Sequence, residues 1–326
     1  MPTRKSWILK LDYFALLRGI LILIIFFSLI WKVGSYFQSP SKVIAGTPSR
    51  VQAWAGTPSP VPTPVIAPVD HGTPPPNVSA KNIFVMDHNS GLVMYSKNAD
   101  DQIYPASTTK MMTAIVAYEN YQLDQPVTIQ SAYPEGSNIG LVPGEKVTVG
   151  NLLYALLIQS ANDAAEDLAD AYPTGKTGFI LAMNAKAGRL HLSHTHFLNP
   201  TGLDQDGHYS SASDLAHLAD YLLGFPYLAK IVATENAVIS TTDYSVSKPL
   251  ANVNQLLGRV KGVLGVKTGF TDKAGESLIT MVNRDNHEVI IALLGSTDRF
   301  TDTTHIIDWI YSNFTWTSKS LSSSGR

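Results

Sequence analysis

The apolar positions from Gly19 to Trp31 form an uncharged run bounded by Arg18 and Lys32. With Lys32 snorkelling, the segment extends to about Tyr36, roughly 18 residues and ~27 Å as a helix, close to the thickness of a bilayer core. Arg4, Lys5 and Lys10 lie on its N-terminal side, so the positive-inside rule predicts a cytoplasmic N-terminus and an extracytoplasmic remainder. Residues 1–37 are therefore expected to be a cytoplasmic N-terminus and a transmembrane signal anchor. A cleaved signal peptide, with the protein then secreted, is the alternative. Val43-Ile44-Ala45 resembles a cleavage site, although it lies rather far beyond the apolar run.

Periodicity then disappears. Residues 38–80 are rich in Pro, Thr, Ser, Gly, Ala and Val, and Gly-Thr-Pro recurs at Gly46, Gly56 and Gly72. Such a stretch cannot bury a core and reads as a linker, partly extended by its prolines.

Strand and helix patterns begin near Asn82. Ile83 to Asp87 and Leu92 to Tyr95 flank Asn89-Ser90-Gly91, which predicts a β-hairpin. Pro105 to Ala114 opens a helix that Ser107 can cap. Further helices are predicted over Gly150–Ile158, Asp163–Ala171, Phe179–Leu190 and Ser213–Leu223, the last with Ser213-Asp214 at its cap. Val263–Phe270, Ser277–Val282 and Val289–Leu294 read as strands, with Arg284-Asp285-Asn286 as the last turn. Thr303–Phe314 reads as a closing helix with Ile306, Ile307, Trp309 and Ile310 in the core. Two early strands, a helical block and three late strands predict an α+β domain over 81–317. Its single five-stranded antiparallel sheet is built from both ends of the domain and flanked by helices. Residues 318–326 read as a disordered tail.

Composition narrows the chemistry. The 326 residues have a formal net charge of -2, 15% charged residues and no basic stripe, so nucleic acid is not an expected partner. Cysteine is absent, which excludes disulfides, thiol nucleophiles and zinc–thiolate sites. His191, His194 and His196 lack a nearby acidic ligand and read as surface or packing residues, so neither a metal nor a cofactor is expected.

Three short motifs remain. Ser107 and Lys110 are three apart and project from one face of a helical turn, where a neutral amine can take a hydroxyl proton. Alone, this common spacing reads better as a helix cap beside a solvated lysine, and the rest of the chain has to change that reading. Ser160-Ala161-Asn162 lies between two helices, where polar groups can point into a cleft. Lys267-Thr268-Gly269 lies at the end of a strand. There Gly269 permits close approach of a ligand, an edge could pair with an extended peptide, and Lys267 and Thr268 could receive a carboxylate. A second Lys-Thr-Gly, at Lys176-Thr177-Gly178, sits in a loop before a helix and is expected to contribute little.

Ser-x-x-Lys, Ser-x-Asn and Lys-Thr-Gly, in this order, form the motif set of penicillin-binding proteins and serine β-lactamases. The words around them, Tyr104–Met111, Ser160–Ala165, Phe197–Asp204 and Lys267–Gly275, resemble the low-molecular-mass D-alanyl-D-alanine carboxypeptidases over about Lys81 to Phe314. The resemblance implies that Ser107 attacks the penultimate D-alanine carbonyl of a peptidoglycan stem peptide, with Lys110 as base and Ser160 as proton relay. It implies that Asn162 positions the substrate amide and that Lys267 and Thr268 hold the terminal carboxylate. The N–H groups of Ser107 and Phe270, next to Gly269, would form the oxyanion hole. It also implies covalent inhibition by β-lactams. Phe270 stands where relatives often have histidine. Two rivals share the motifs: a β-lactamase, and a catalytically idle wall-binding protein. The Glu-x-x-Leu-Asn string of class A β-lactamases is absent, and Glu166 lies in the helix after Asn162 instead.

Overall fold

The computed structural model describes residues 66–317. The apolar N-terminal run, the sequence up to residue 65 and the tail 318–326 lie outside the described residues. Among the described residues, no helix is long and apolar enough to cross a membrane.

In chain order the elements are β1 (Ala67–Asp70), β2 (Asn82–Asp87), β3 (Val93–Lys97), a 3-10 turn (Ala106–Thr109), α1 (Lys110–Asn120), β4 (Pro126–Thr128) and β5 (Lys146–Thr148). There follow α2 (Val149–Ile158), α3 (Asn162–Asp170), α4 (Gly175–Arg189), α5 (Ala212–Leu223), α6 (Pro226–Val232), β6 (Asn236–Ser240) and β7 (Ser247–Ala251). The chain closes with β8 (Val263–Thr271), β9 (Gly275–Arg284), β10 (His287–Ser296), α7 (Arg299–Asn313) and β11 (Phe314–Thr317). The main sheet has five strands in the order β3-β2-β10-β9-β8, and all its pairings are antiparallel. This is the α+β architecture predicted from the sequence, with β8 at an edge.

Strands β2, β9 and β10 read as nearly continuous apolar runs because both faces of the sheet are covered. Their side chains alternate between two cores. Phe84, Met86, Ile279, Met281, Ile290, Ala292 and Leu294 pack with the helical block of α1, α2, α3 and α5. Ile83, Val85, Leu278, Val282, Val289, Ile291 and Leu293 pack against Ile306, Ile307, Trp309 and Ile310 of α7. A one-residue slip in any of these strands would exchange the two sets, so the two cores fix the register. Helix α2 is buried along almost its whole length, from Val149 through Ile158. Each of its leucines contributes about 1.5–3 kcal/mol of burial.

Several local expectations change. Ser107 does not cap a helix: it lies inside the 3-10 turn, which makes no side-chain cap bond. Helix α5 is capped by Ser211, whose hydroxyl accepts from the Asp214 N–H, rather than by Ser213-Asp214. The first hairpin turn forms as predicted, with Asp87 accepting from the N–H and hydroxyl of Ser90 and with Gly91 at φ +69°. The stretch read as linker up to residue 80 contains β1, which pairs antiparallel with β11 from Ala67↔Thr317 to Asp70↔Phe314. The folded region therefore begins before residue 81. Two small ribbons, β4–β5 and β6–β7, were not predicted.

Candidate active site

The chain segment before α1 is forced into an unusual path. Ala106 has φ +49°, a left-handed conformation that costs a non-glycine residue about 1–3 kcal/mol. Neighbours hold it there. Thr108 donates its hydroxyl to Pro105 O at 2.6 Å, and Thr109 Oγ1 lies 3.0 Å from His208 Nε2. Two glycines press on the turn. A Cβ at Gly202 would lie 1.8 Å from Ala106 O, and one at Gly269 would lie 3.3 Å from Ser107 N. The Ser107 amide is thus brought against β8, beside Phe270.

Lys110, the first residue of α1, is fully buried. Its Nζ lies 2.9 Å from Ser107 Oγ and donates to Thr201 O at 2.7 Å. The carbonyl of Thr201 is offered by the loop Asn199–Leu203. Asn199 ties this loop by accepting from the N–H groups of Thr201 and Gly202 and donating to Leu203 O. Desolvation lowers the Lys110 amine to about 7, against a counter-effect from the carboxylates of Glu166 and Asp163. An amine with that value is half neutral near pH 7, which suits a general base.

Ser160 joins α2 to α3 at φ +62°, the second strained non-glycine residue of the site. Its hydroxyl accepts from Lys267 Nζ at 2.9 Å, and Lys267 also donates to Thr268 O at 3.0 Å. Burial depresses the Lys267 amine, and the cations of Lys110 and Arg299 depress it further. Asn162, the first residue of α3, donates Nδ2 to Glu135 O at 2.8 Å, and its backbone N–H donates to Ser137 O at 2.6 Å. Gly136 is required there, because a Cβ at that position would lie 2.3 Å from Asn162 Nδ2.

Ser107, Ser160, Asn162, Thr268, Gly269 and Phe270 line one cleft of about 320 Å³, together with Ser137, Thr201–Leu203, Thr271 and Arg299. The three sequence motifs therefore converge, as two serine–lysine pairs and one asparagine. Lys267 differs from its expected place. It is 1% exposed and does not line the cleft, and its ammonium faces Ser160. The cation that does reach the cleft is Arg299, which donates Nη1 to Gly269 O at 2.9 Å, while its Nε has no partner among the described residues. Sequence reasoning missed Arg299 because it stands alone at the start of a helix, outside any motif. Phe270 is 57% exposed on the rim. The second Lys-Thr-Gly is not in the cleft: Lys176 pairs with Glu166, 2.5 Å away. His196 donates from Nδ1 to Gly207 O at 2.8 Å, and no group of three metal-ligating side chains occurs among the described residues.

A family profile described as D-alanyl-D-alanine carboxypeptidase matches residues 70–298. The chain belongs to this family. Among curated members of the D-alanyl-D-alanine carboxypeptidase family, it is 34% identical over 246 residues to carboxypeptidase DacF of Bacillus subtilis, covering 72% of this chain and 63% of the relative. It is 34% identical over 255 residues to the D-alanyl-D-alanine carboxypeptidase of Streptomyces sp. strain K15, covering 72% of this chain and 88% of the relative. It is 32% identical over 241 residues to a D-alanyl-D-alanine endopeptidase of Pseudomonas aeruginosa, covering 72% and 77%. Of solved structures, the Streptomyces K15 DD-transpeptidase matches with a TM-score of 0.70 at 33% identity, covering 74% of this chain and 100% of that one. The chain thus spans somewhat under two thirds of the Bacillus relative and most of the Streptomyces one.

Proposed function

We propose that the protein is a serine D-Ala-D-Ala carboxypeptidase that removes the terminal D-alanine from peptidoglycan stem peptides through a Ser107 acyl-enzyme. The observation that carries this reading is the convergence of the Ser107–Lys110 and Ser160–Lys267 pairs on one cleft. Neutral Lys110 keeps one N–H on Thr201 O and turns its lone pair to the Ser107 hydroxyl. It takes that proton as Oγ bonds to the penultimate carbonyl carbon. Charge then develops on the carbonyl oxygen between the N–H groups of Ser107 and Phe270. Ser160, polarised by Lys267, relays the proton taken up by Lys110 to the departing D-alanine nitrogen as the C–N bond breaks, so Ser160 keeps its hydroxyl and Lys110 is neutral again. The Thr268 hydroxyl and the Arg299 guanidinium meet the terminal carboxylate, with Lys267 acting behind Ser160. Asn162 orients the acyl amide, and β8 offers its free edge to the extended peptide. Water then attacks the ester and frees Ser107. β-Lactams enter the same reaction and remain as covalent inhibitors, because their leaving nitrogen stays tethered.

The apolar run Gly19–Trp31 with its basic N-terminal flank supports anchoring of this domain to the outer face of the cytoplasmic membrane. Retention of the full chain in the membrane fraction after an alkaline carbonate wash tests the anchor. Release of a species beginning near Gly46 overturns it. For the activity, the full chain should release D-alanine from diacetyl-lysyl-D-alanyl-D-alanine in many turnovers. Covalent penicillin labelling with no D-alanine release would refute the carboxypeptidase reading.

A further inference from the structure

Behind Asn162 lies a second cavity, of about 270 Å³, lined by Tyr133, Glu135, Glu166 and Lys176 and sharing Asn162, Thr201 and Leu203 with the catalytic cleft. Glu166 follows Asn162 by one helical turn, so both project from the same face of α3. Its carboxylate is nearly buried, with a side chain 9% exposed, and is met by the half-exposed Lys176 from the first turn of α4. The shared wall matters, because the Thr201 carbonyl is the group that receives the Lys110 amine. A half-buried ion pair is thus built against the support of the catalytic base, and no step of the reaction described above uses it.

We propose that Glu166 and Lys176 are a positioning pair for the base: the Glu166 carboxylate holds the Lys110 amine in the field of a negative charge, and Lys176 is the counter-charge that limits this field. The inference rests on the reading of Lys110 as the base. The other charges around the two groups are fixed in place. Lys110 also faces Asp163 from α3 and Lys267 from β8. The Asp163 carboxylate is occupied by the N–H groups of Ile139, Leu141 and Ala164. Glu166 faces Lys176, Asp170 and Lys110, its near neighbour Asp167 is buried beside it, and Glu135 lines the cavity from its loop. Tyr133 donates its hydroxyl to Asp170. Burial drives the Glu166 carboxyl up, and the Lys176 ammonium opposes that rise.

The signs follow from charge alone. Removing the carboxylate leaves Lys110 easier to deprotonate, and removing the Lys176 ammonium leaves it harder. The test is the second-order rate of acylation of the full chain by a fluorescent penicillin between pH 5 and 9, with the melting temperature of each variant measured alongside. Glu166→Gln should move the acid limb to lower pH by about half a unit or more, which is roughly a threefold gain in rate on the limb. Lys176→Met should move it to higher pH by a similar amount, and Lys176→Arg should restore the wild-type position. A structural role alone would lower the melting temperature without displacing the limb. A wild-type limb that both substitutions leave in place, or move in the same direction, overturns the inference while leaving Lys110 as base. A wild-type profile without an acid limb overturns the role of Lys110 and the inference with it.

Discussion

Gly202 is the position at which one added carbon should separate folding from catalysis. Its φ of +89° lies outside the range open to L side chains, so alanine there costs about 1–3 kcal/mol of backbone strain. The second effect is a collision. The new Cβ would stand 1.8 Å from Ala106 O and 2.3 Å from Ala106 C, where at least 3.0 Å is needed. One side must therefore retreat by about 1.2 Å, the difference between 3.0 and 1.8. Retreat of Ala106 drags the Ser107 amide out of the proposed oxyanion hole. Retreat of Gly202 drags the Thr201 carbonyl from the Lys110 amine. A misplacement of about 1 Å costs on the order of 100-fold in rate. Gly207→Ala is the matched control: its φ is +90°, yet its Cβ would meet only Leu198 Cδ1 at 3.4 Å. Both variants should lose a few degrees of melting temperature. Only Gly202→Ala should lose 100-fold or more in the rate of acylation by a fluorescent penicillin, with Gly207→Ala within about threefold of wild type. Equal acylation rates in the two variants would refute the argument that Gly202 positions the nucleophile.

His208 supplies a pH prediction. Its Nδ1 accepts from the Leu198 N–H at 3.0 Å, so the ring is neutral, and burial pushes it down to about 4. The unfolded chain binds the extra proton below about 6.5. Stability is therefore full above that pH and falls by up to about 3 kcal/mol as pH drops toward 4. His208→Gln should flatten the dependence of the urea midpoint on pH between 4 and 6.5, and an unchanged slope would exclude His208 as its source. Arg299→Leu should lower kcat/KM for a peptide with a free terminal carboxylate by about 10–100-fold, the worth of one charge-assisted hydrogen bond in a cleft. The same substitution should change little for the C-terminal amide of that peptide, and equal losses on both substrates would remove Arg299 from carboxylate binding.

The parts of this fold that were legible in the sequence are those whose signal is local. The long Val/Ile/Leu runs of β9 and β10 announce strands covered on both faces, and the Ser, Lys and Asn motifs announce chemistry because several spacings, each weak alone, occur together in order. Strand β1 was hidden in a Pro-rich stretch because its pairing partner, Phe314–Thr317, lies at the far end of the chain. The three-residue ribbon strands β4 and β5 are too short to show a period. Ser107 carries the composition of a helix cap, yet tertiary contacts from Gly202 and Gly269 decide its backbone. The expectation that Lys176 contributes little came from its loop setting, and only the folded structure brings it to Glu166. Likewise, Lys267 was legible as a site residue, but its direction, toward Ser160 rather than into the cleft, depends on where the junction between α2 and α3 meets β8.

The central claim is that one residue, Ser107, carries the acyl group. Intact-mass spectrometry of the full chain after exposure to benzylpenicillin tests it directly, with wild type and Ser107→Ala treated in parallel. Wild type should gain the mass of one penicilloyl group, map it to Ser107 after proteolysis, and keep it for long after free drug is removed. Ser107→Ala should gain nothing and release no D-alanine from diacetyl-lysyl-D-alanyl-D-alanine. A penicilloyl adduct on Ser107→Ala, or an adduct on wild type that maps to any other residue, would contradict the account.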